Sequence, residues 1–345
     1  MELDNKIQDS LKAKADALFD EWRGVFNDEV LMNGFVPIEV EGEFVFPLIN
    51  PDTHEESEVF VESGKRDGVL EDAHGNIWLL EHKTSSEDIS PGSNYWKRLS
   101  IDTQISKYLL SLVHDFPNHE IMGVIYDVVR KPSLRFGTRP VLDDEGKKIV
   151  KDGSGNRVMN KNGTPKQSVT SGSDQYLEVR DETPQEYEQR CRESIEKSER
   201  PFVEIQKVAQ TNETLQEYMK DAWASAEQIL YWRDKDLWPK NPESCLQYGS
   251  CEFLDLCVGQ ATVDNIRFAK RTSVHPELSS APDVSKKELL TNSRLRALRK
   301  CNRYHFHKYE TPIEPVKPHS EALWFGSYWH DQLEDYLAAY MPDNK

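Results

Sequence analysis

Between Lys65 and Tyr108 the chain reads KRDGVLEDAHGNIWLLEHKTSS, then a polar loop, then SIDTQISKYLL. The first part predicts a β-hairpin. Val69 and Leu70 precede a turn at Asp72–Asn76, and the apolar run Ile77–Leu80 follows it. Asp67 is expected near the start of the first strand, and Glu81 and Lys83 near the end of the second. Side chains alternate along a strand, so Glu81 and Lys83 share one face and His82 takes the other. Two carboxylates and an ammonium gathered at one sheet edge can hold a divalent cation with a lysine beside it. That combination suits hydrolysis of a phosphodiester: oxygen ligands for Mg²⁺ or Mn²⁺ and a positive charge to steady the attacking water. Taken alone, the three residues describe a solvated sheet edge equally well.

The segment that follows narrows the choice. Gln104 and Tyr108 lie four apart in a helical run and share a face, while Ile101, Ile105, Leu109 and Leu112 predict its apolar stripe. An Asp, then Glu-x-Lys, then a helix with Gln-x3-Tyr resembles the PD-(D/E)xK nuclease superfamily, in particular its RecB-like branch. The resemblance implies an α/β restriction-endonuclease-like core, a central mixed sheet flanked by helices. It also implies a metal site on Asp67 and Glu81 with the His82 backbone carbonyl as a further ligand. Lys83 would position the nucleophilic water, with Gln104 and Tyr108 lining the DNA path.

The 345 residues, 37% of them apolar, can bury a substantial core. No apolar run is long enough to span a membrane. The start, MELDNKIQDS, has neither the basic nor the apolar region of a signal peptide, so a cytoplasmic protein is expected. Five cysteines do not make a disulfide scaffold here. A net charge of −17 argues against a protein that coats DNA, and leaves room for a locally basic groove.

A single nuclease domain is expected over 1–345, with 1–129 as catalytic core. Residues 4–28 predict an amphipathic helix with Ile7, Leu11, Leu18, Trp22, Val25 and Phe26 near one face. Strands are expected at 35–40, 43–48 and 120–128. Residues 130–175 read as a basic β-ribbon or loop insertion. Lys147, Lys148 and Lys151 within it are candidates for phosphate contact, against the alternative of a solvated loop. Residues 176–258 read as helical through Tyr187, Cys191, Ile195, Leu215, Met219, Ala222, Ala226, Ile229 and Leu230, with Cys191 a packed thiol. They close on a cysteine triplet.

That triplet, Cys245, Cys251 and Cys257, runs C-x5-C-x5-C, and Cys301 follows. Four thiolates suit a structural Zn²⁺ or a 4Fe–4S cluster, and the spacing alone does not choose. The resemblance favours the cluster. Iron–sulfur RecB-like nucleases, AddB and the CRISPR-associated members among them, carry one cysteine before the core and three after it. Those three usually run C-x2-C-x5-C, so the first spacing here departs from the pattern.

Residues 293–340 resemble the amino-terminal part of the same family, where a cysteine-bearing helix leads to G-x3-H, matched by Gly326 and His330. The resemblance makes His330 a metal ligand. The order of motifs is then that of a circular permutation, with 259–291 bridging the old ends and 292–345 supplying the displaced amino-terminal helices. Joining Lys345 to Met1 would run the His330 helix into the 4–28 helix. A second, truncated copy is the competing reading, and no second Asp…Glu-x-Lys accompanies it.

The resemblance therefore implies a Mg²⁺- or Mn²⁺-dependent DNA exonuclease acting on single strands or ends, with a 4Fe–4S cluster and recombination or CRISPR-adaptation partners, in a phage-type setting. The alternatives are a non-catalytic DNA-end-binding subunit of the same fold and a structural zinc protein.

Overall fold

The computed structural model describes residues 4–99, 101–247, 249–276, 278, 287–316 and 320–342. Helix α1 (Asn5–Phe26) starts at Asp4, whose carboxylate accepts the Lys6 N–H, and buries Leu18, Trp22 and Phe26. Strands β1 (Val36–Ile49), β2 (Glu56–Glu71) and β3 (Ile77–Ser85) follow. β1 is one strand where the sequence suggested two. Asp67 stands near the end of its strand rather than the start, because pairing with β1 extends β2 back to Glu56. The β2–β3 turn closes as expected, with Asp72 Oδ1 accepting from the N–H groups of His74 (2.9 Å) and Asn76 (3.0 Å).

Helices α2 (Asn94–Leu99) and α3 (Thr103–Asp115) form the crossover to β4 (Ile121–Arg130), which lies parallel to β3. Asp102 caps α3, so Ile101 falls before the helix and is 75% exposed rather than part of its stripe. The insertion holds four short strands, β5 (Thr138–Pro140), β6 (Val150–Lys151), β7 (Tyr176–Leu177) and β8 (Val179–Asp181), paired β5–β8 and β6–β7. Tight turns break it at Gly146, Gly155 and Gly163, each with positive φ. Its charges are matched internally, Lys147 to Glu145 and Lys151 to Glu178, both at 2.7 Å, while Lys148 is exposed.

Beyond it, α4 (Pro184–Glu196) buries Tyr187, Cys191 and Ile195. The stretch expected to be wholly helical then contains β9 (Val203–Val208), which pairs with β4. In α5 (Asn212–Lys235) Tyr218 is buried, and Leu230 is exposed rather than in the core. The remaining elements are α6 (Leu254–Cys257), β10 (Phe268–Lys270), β11 (Glu288–Leu290), α7 (Asn292–Lys300), α8 (Asn302–His305), β12 (Ile313–Pro315) and α9 (Glu321–Ala338). Part of the 259–291 bridge lies outside the described residues. Its end is β11, which joins the central sheet beside β2.

The result is an α/β architecture around a mixed sheet of order β1-β2-β3-β4-β9. One face carries Leu80, Ile125 and Val129 against α1, α4 and α9. The other carries Val69, Leu79, Val124 and Tyr126 against α2 and α3. Among the described residues no helix is long and apolar enough to cross a membrane.

Helix α9 runs parallel to α1: Tyr328 and Gln332 bond to Asp16, and Tyr336 bonds to Asn27 just past the end of α1. Its carboxyl end therefore lies at the far end of α1 from Asn5, about 33 Å away for a 22-residue helix. The His330 helix cannot run straight into α1, as a direct joining of the ends would require. Its end lies instead by the start of β1, where Tyr340 shares a cavity wall with Phe35, Val36 and Pro37.

Late segments are fixed to this core by buried charge. Lys107, fully buried on α3, pairs with Glu62 at 2.8 Å and donates to the Leu290 carbonyl of β11, while the Tyr218 hydroxyl donates to the same Glu62 carboxylate at 2.8 Å. Removing one member of such a set leaves the other charge stranded. Lys107→Ala should lower unfolding free energy by about 3 kcal/mol or more, whereas Lys147→Ala at an exposed pair should cost less than about 1 kcal/mol. Urea unfolding of the two variants checks this; equal midpoints would refute it.

Candidate metal centre

The centre forms where β2 changes the face it presents. Arg66 faces α3, bonding Ser111 and Asp115, while its neighbours Lys65 and Asp67 face Glu41 and α9. Val69 then packs with α3 and Leu70 with α1 and α9. Strict alternation would put Asp67 with Val69, so the slip falls at Gly68. A Cβ there would sit 3.2 Å from Leu80 Cδ2 and 3.3 Å from the Glu39 carbonyl, a fit that favours glycine.

The slip brings the expected residues together. Asp67 Oδ2 accepts the His82 N–H at 2.7 Å, which ties the carboxylate to β3. Glu81 and Lys83 point toward α3, as alternation requires. Lys83 donates to Glu81 Oε1, and the Gln104 amide donates to the same oxygen at 3.0 Å. Gln104 also donates to the Tyr108 hydroxyl at 3.1 Å, so both residues of the Gln-x3-Tyr pair adjoin the carboxylate. His82 turns to the other face, where its Nδ1 lies 2.6 Å from buried Asp127, which also accepts from Trp22.

His330, from the opposite end of the chain, completes the group. Among the described residues, the one set of three metal-capable side chains whose ligand atoms all lie within 4.8 Å is Glu41, Asp67 and His330. His330 Nδ1 is 3.3 Å from Glu41 Oε1 and 4.0 Å from Asp67 Oδ1. An octahedral cation with bonds of about 2.1 Å spaces its ligands about 3.0 Å apart when adjacent and about 4.2 Å when opposite. Those separations fit. Glu41 went unnoticed in the sequence, because a glutamate among Glu39 and Glu43 in a polar strand carries no motif.

Burial and neighbouring charge set the protonation. Burial pushes the Glu81 carboxyl up to about 7, against the pull of the Lys83 ammonium. Burial also works against charge on Lys83, but the Glu81 charge outweighs it and raises the lysine above its ordinary value. The two shifts share one consequence, a protonated Lys83. For His330 burial is likewise outweighed, by the Glu41 bond and the Asp67 charge, so the imidazole holds its proton more firmly than usual. Glu81 Oε2 is buried and has no hydrogen-bond partner among the described residues, an acceptor suited to a cation.

The four cysteines of the second motif converge elsewhere. Cys245 Sγ lies 3.6 Å from the Asn241 carbonyl and Cys301 Sγ 3.2 Å from the Asn241 N–H. The Cys251 N–H donates to the Cys245 carbonyl at 2.7 Å. Cys257 lies close enough to Cys251 and Cys301 to feel their charge. Burial raises the Cys251 and Cys257 thiols, with Lys300 and Lys240 respectively pulling them down. No trio of these sulfurs lies within 4.8 Å, whereas tetrahedral zinc with 2.3 Å bonds sets its sulfurs about 3.8 Å apart. A cluster that spreads four thiolates over four irons takes a wider cage.

In comparisons with family models, with curated proteins and with solved structures, nothing matches the chain.

Two buried histidines flank the cage. Burial lowers His305 to about 3 and His307 to about 4. A pKa depressed on folding gives stability that is complete above the unfolded value and is lost as pH falls through it. From about pH 6.5 to pH 5, each histidine should remove about 1.4 kcal/mol per pH unit. Urea unfolding of His307→Phe across that range should show a shallower pH slope than the wild type; an unchanged slope would contradict the assignment.

Proposed function

We propose that this chain is a divalent-cation-dependent deoxyribonuclease of the PD-(D/E)xK type, RecB-like, acting on DNA ends or single strands as an exonuclease. The observation that carries this reading is the convergence of Asp67, Glu81, Lys83, Gln104 and Tyr108 from two strands and one helix, with His330 joining them from a helix more than 200 residues later. Scattered surface residues would not pair in this way.

Asp67, Glu81 and His330 would hold the cation, which supplies Lewis-acid activation of water and neutralises charge on the phosphate. The rest falls to the chain. Lys83, held by Glu81 and kept protonated, acts through its charge and its N–H donors rather than as a base. Gln104 fixes the Glu81 carboxylate and the Tyr108 hydroxyl together, and the pair orients the strand beside the phosphate. Tyr108 keeps its proton because burial and then the Glu81 and Asp67 charges raise its pKa, so its hydroxyl is a donor throughout. Lys147, Lys148 and Lys151 are the candidates for a phosphate-contacting arm. With Lys147 and Lys151 already paired to carboxylates, Lys148 is the strongest of them.

The cysteine cage is proposed to hold a 4Fe–4S cluster on Cys245, Cys251, Cys257 and Cys301. The resemblance favours this over a single zinc, and Cys245 and Cys301 both adjoin Asn241. Circular permutation belongs to the same reading. With the end of α9 at the far end of α1 from Asn5, the unpermuted order would need a connection spanning the length of α1.

The test uses end-labelled single- and double-stranded DNA with anaerobically purified protein and Mg²⁺ or Mn²⁺. Cleavage should vanish with EDTA and fall at least about 100-fold in Lys83→Ala, the loss of an electrostatic stabiliser. DNA binding without cleavage by the native chain would move the reading to an end-binding subunit. Cys301→Ser should lose bound iron and the absorbance near 400 nm; unchanged iron content, or a colourless protein carrying zinc, would remove the cluster from the proposal.

A further inference from the structure

Helix α7 carries five basic residues in a short stretch, Arg294, Arg296, Arg299, Lys300 and, just beyond its end, Arg303. Arg294 is buried and bonded to Glu288 and Glu310, and Arg303 donates to the Trp238 carbonyl. The other three are exposed. At 3.6 residues per turn, Asn292, Arg296, Arg299 and Lys300 fall on one face of the helix, while Leu295, Ala297 and Leu298 are buried. That face begins at the candidate centre. The Asn292 amide donates to Gln104 Oε1 at 3.3 Å, and Gln104 donates to Glu81 at 3.0 Å. Arg296 and Arg299 then stand about 6 and 10 Å further along the axis, a length that about three stacked nucleotides cover at 3.4 Å each.

These cations are spent differently from those of the basic insertion. There, Lys147, Lys151 and Arg157 are paired with Glu145, Glu178 and Asp143. Among the described residues, Arg296 and Lys300 form no ion pair; Lys300 lies over the Tyr304 ring at 4.3 Å. Arg299 donates to the Thr103 hydroxyl at 3.1 Å, and its nearest carboxylate oxygen, on Asp221, is 3.9 Å away. Arg299 and Lys300 also complement the carboxyl end of the helix dipole. Arg296, in the middle of the helix, gains nothing from that. The face suits a phosphate backbone better than a protein, because its residues, with Ser293 beside them, are all polar. A protein interface needs an apolar centre to exclude water, whereas a nucleic-acid backbone needs only cations at intervals.

We propose that the outer face of α7 is the track along which a nucleic-acid strand reaches the centre, with Arg296, Arg299 and Lys300 neutralising successive phosphates. The strand then passes Asn292 and Gln104 on its way to Glu81 and Lys83. That the track leads to a cleavage site rests on the nuclease reading; binding of the backbone to α7 does not.

The experiment measures binding of an end-labelled DNA single strand to the full chain by fluorescence anisotropy in EDTA, over a range of salt. Three proteins are compared: the wild type, Arg296→Ala with Lys300→Ala, and Lys197→Ala with Lys235→Ala. The last pair removes the same charge from exposed sites on other elements. Two lost phosphate contacts should reduce the slope of log K against log salt by about 1.4 in the α7 variant, with the control slope unchanged. Arg299 is left in place because it also holds Thr103, and urea midpoints equal to the wild type's show that the α7 variant is folded. Equal slopes in the α7 variant and the control overturn the proposal, as does a wild type that binds no DNA. Binding to poly-glutamate that is lost in the α7 variant while DNA binding is kept would assign the face to an acidic protein and overturn it too. Cleavage by the wild type with an unchanged slope in the α7 variant leaves the nuclease reading standing and this inference fallen. A reduced slope in a chain that cleaves nothing does the reverse.

Discussion

The centre depends on a short interaction between a backbone and a side chain, the hydrogen bond from the His82 N–H to Asp67 Oδ2 at 2.7 Å. β2 and β3 pair regularly from Glu71–Ile77 to Gly68–Leu80. Beyond that point the strand slips at Gly68, and the Asp67 carboxylate takes the N–H of His82, two residues past Leu80 on β3. A charge-assisted bond of this kind is stronger than the neutral ladder bond it stands beside. It leaves the other carboxylate oxygen directed at His330, so one aspartate reaches groups carried on both faces of the sheet. His82 is held from behind as well, by Asp127 and Trp22 in the apolar layer under α1. Asp127 Oδ1 and His82 Nε2 are buried without partners among the described residues. That desolvation is tolerated at a place where β3 must not shift.

Buried charge does comparable work across the rest of the fold. Arg66 is clamped by Glu39 and Asp115; Arg233 and Arg294 share Glu288 and Glu310. Such groups add little net stability over apolar packing, because their desolvation nearly cancels their attraction. Their effect here is on placement. β11 has three residues and α7 has nine, too few to hold position through apolar area alone. Arg294 also donates to the Leu289 carbonyl, and Lys107 to the Leu290 carbonyl, so the β11–α7 corner is located from two sides by buried cations.

Much of this was legible in the sequence, and the limits follow from physics. The hairpin, its turn and the Gln-x3-Tyr helix are local: alternation, an Asp-x-x-Gly turn and a capped amphipathic run specify them within 45 residues. The same locality led to the expectation that Glu81 and Lys83 share a face. β9 carried an alternating signal, Val203-Glu-Ile-Gln-Lys-Val208, but two helical stretches around it masked a six-residue strand. Its place beside β4 is a contact across some 80 positions. Glu41 is a harder case. Its importance lies in a left-handed backbone angle, φ +52°, and in a histidine 289 positions away, and neither leaves a mark on the strand's own pattern. The direction of α9 on α1 was likewise beyond any window, since aromatic contacts such as Trp22–Tyr336 at 5.2 Å decide it. The cysteine spacing names four residues as a set, and a spacing of x5 and x5 carries no information on how far apart their sulfurs stand.

One link joins the two sites that the sequence presented as separate. Helix α7 begins with Asn292, whose amide reaches the Gln104 side chain at 3.3 Å, and ends at Cys301 in the cage. Arg299 of the same helix donates to Thr103 at the start of α3. Nine helical residues span about 14 Å and behave as a stiff rod on the scale of a hydrogen bond. The position of Cys301 therefore constrains Asn292, and Asn292 constrains the amide that holds Glu81. Packing alone locates the rod only through Leu295, Ala297 and Leu298 on one side. A group bound by all four cysteines would fix its far end by covalent bonds to α6 and the turn before it. Such a group would act on the Glu81 carboxylate through a single rigid element, with no change of fold required.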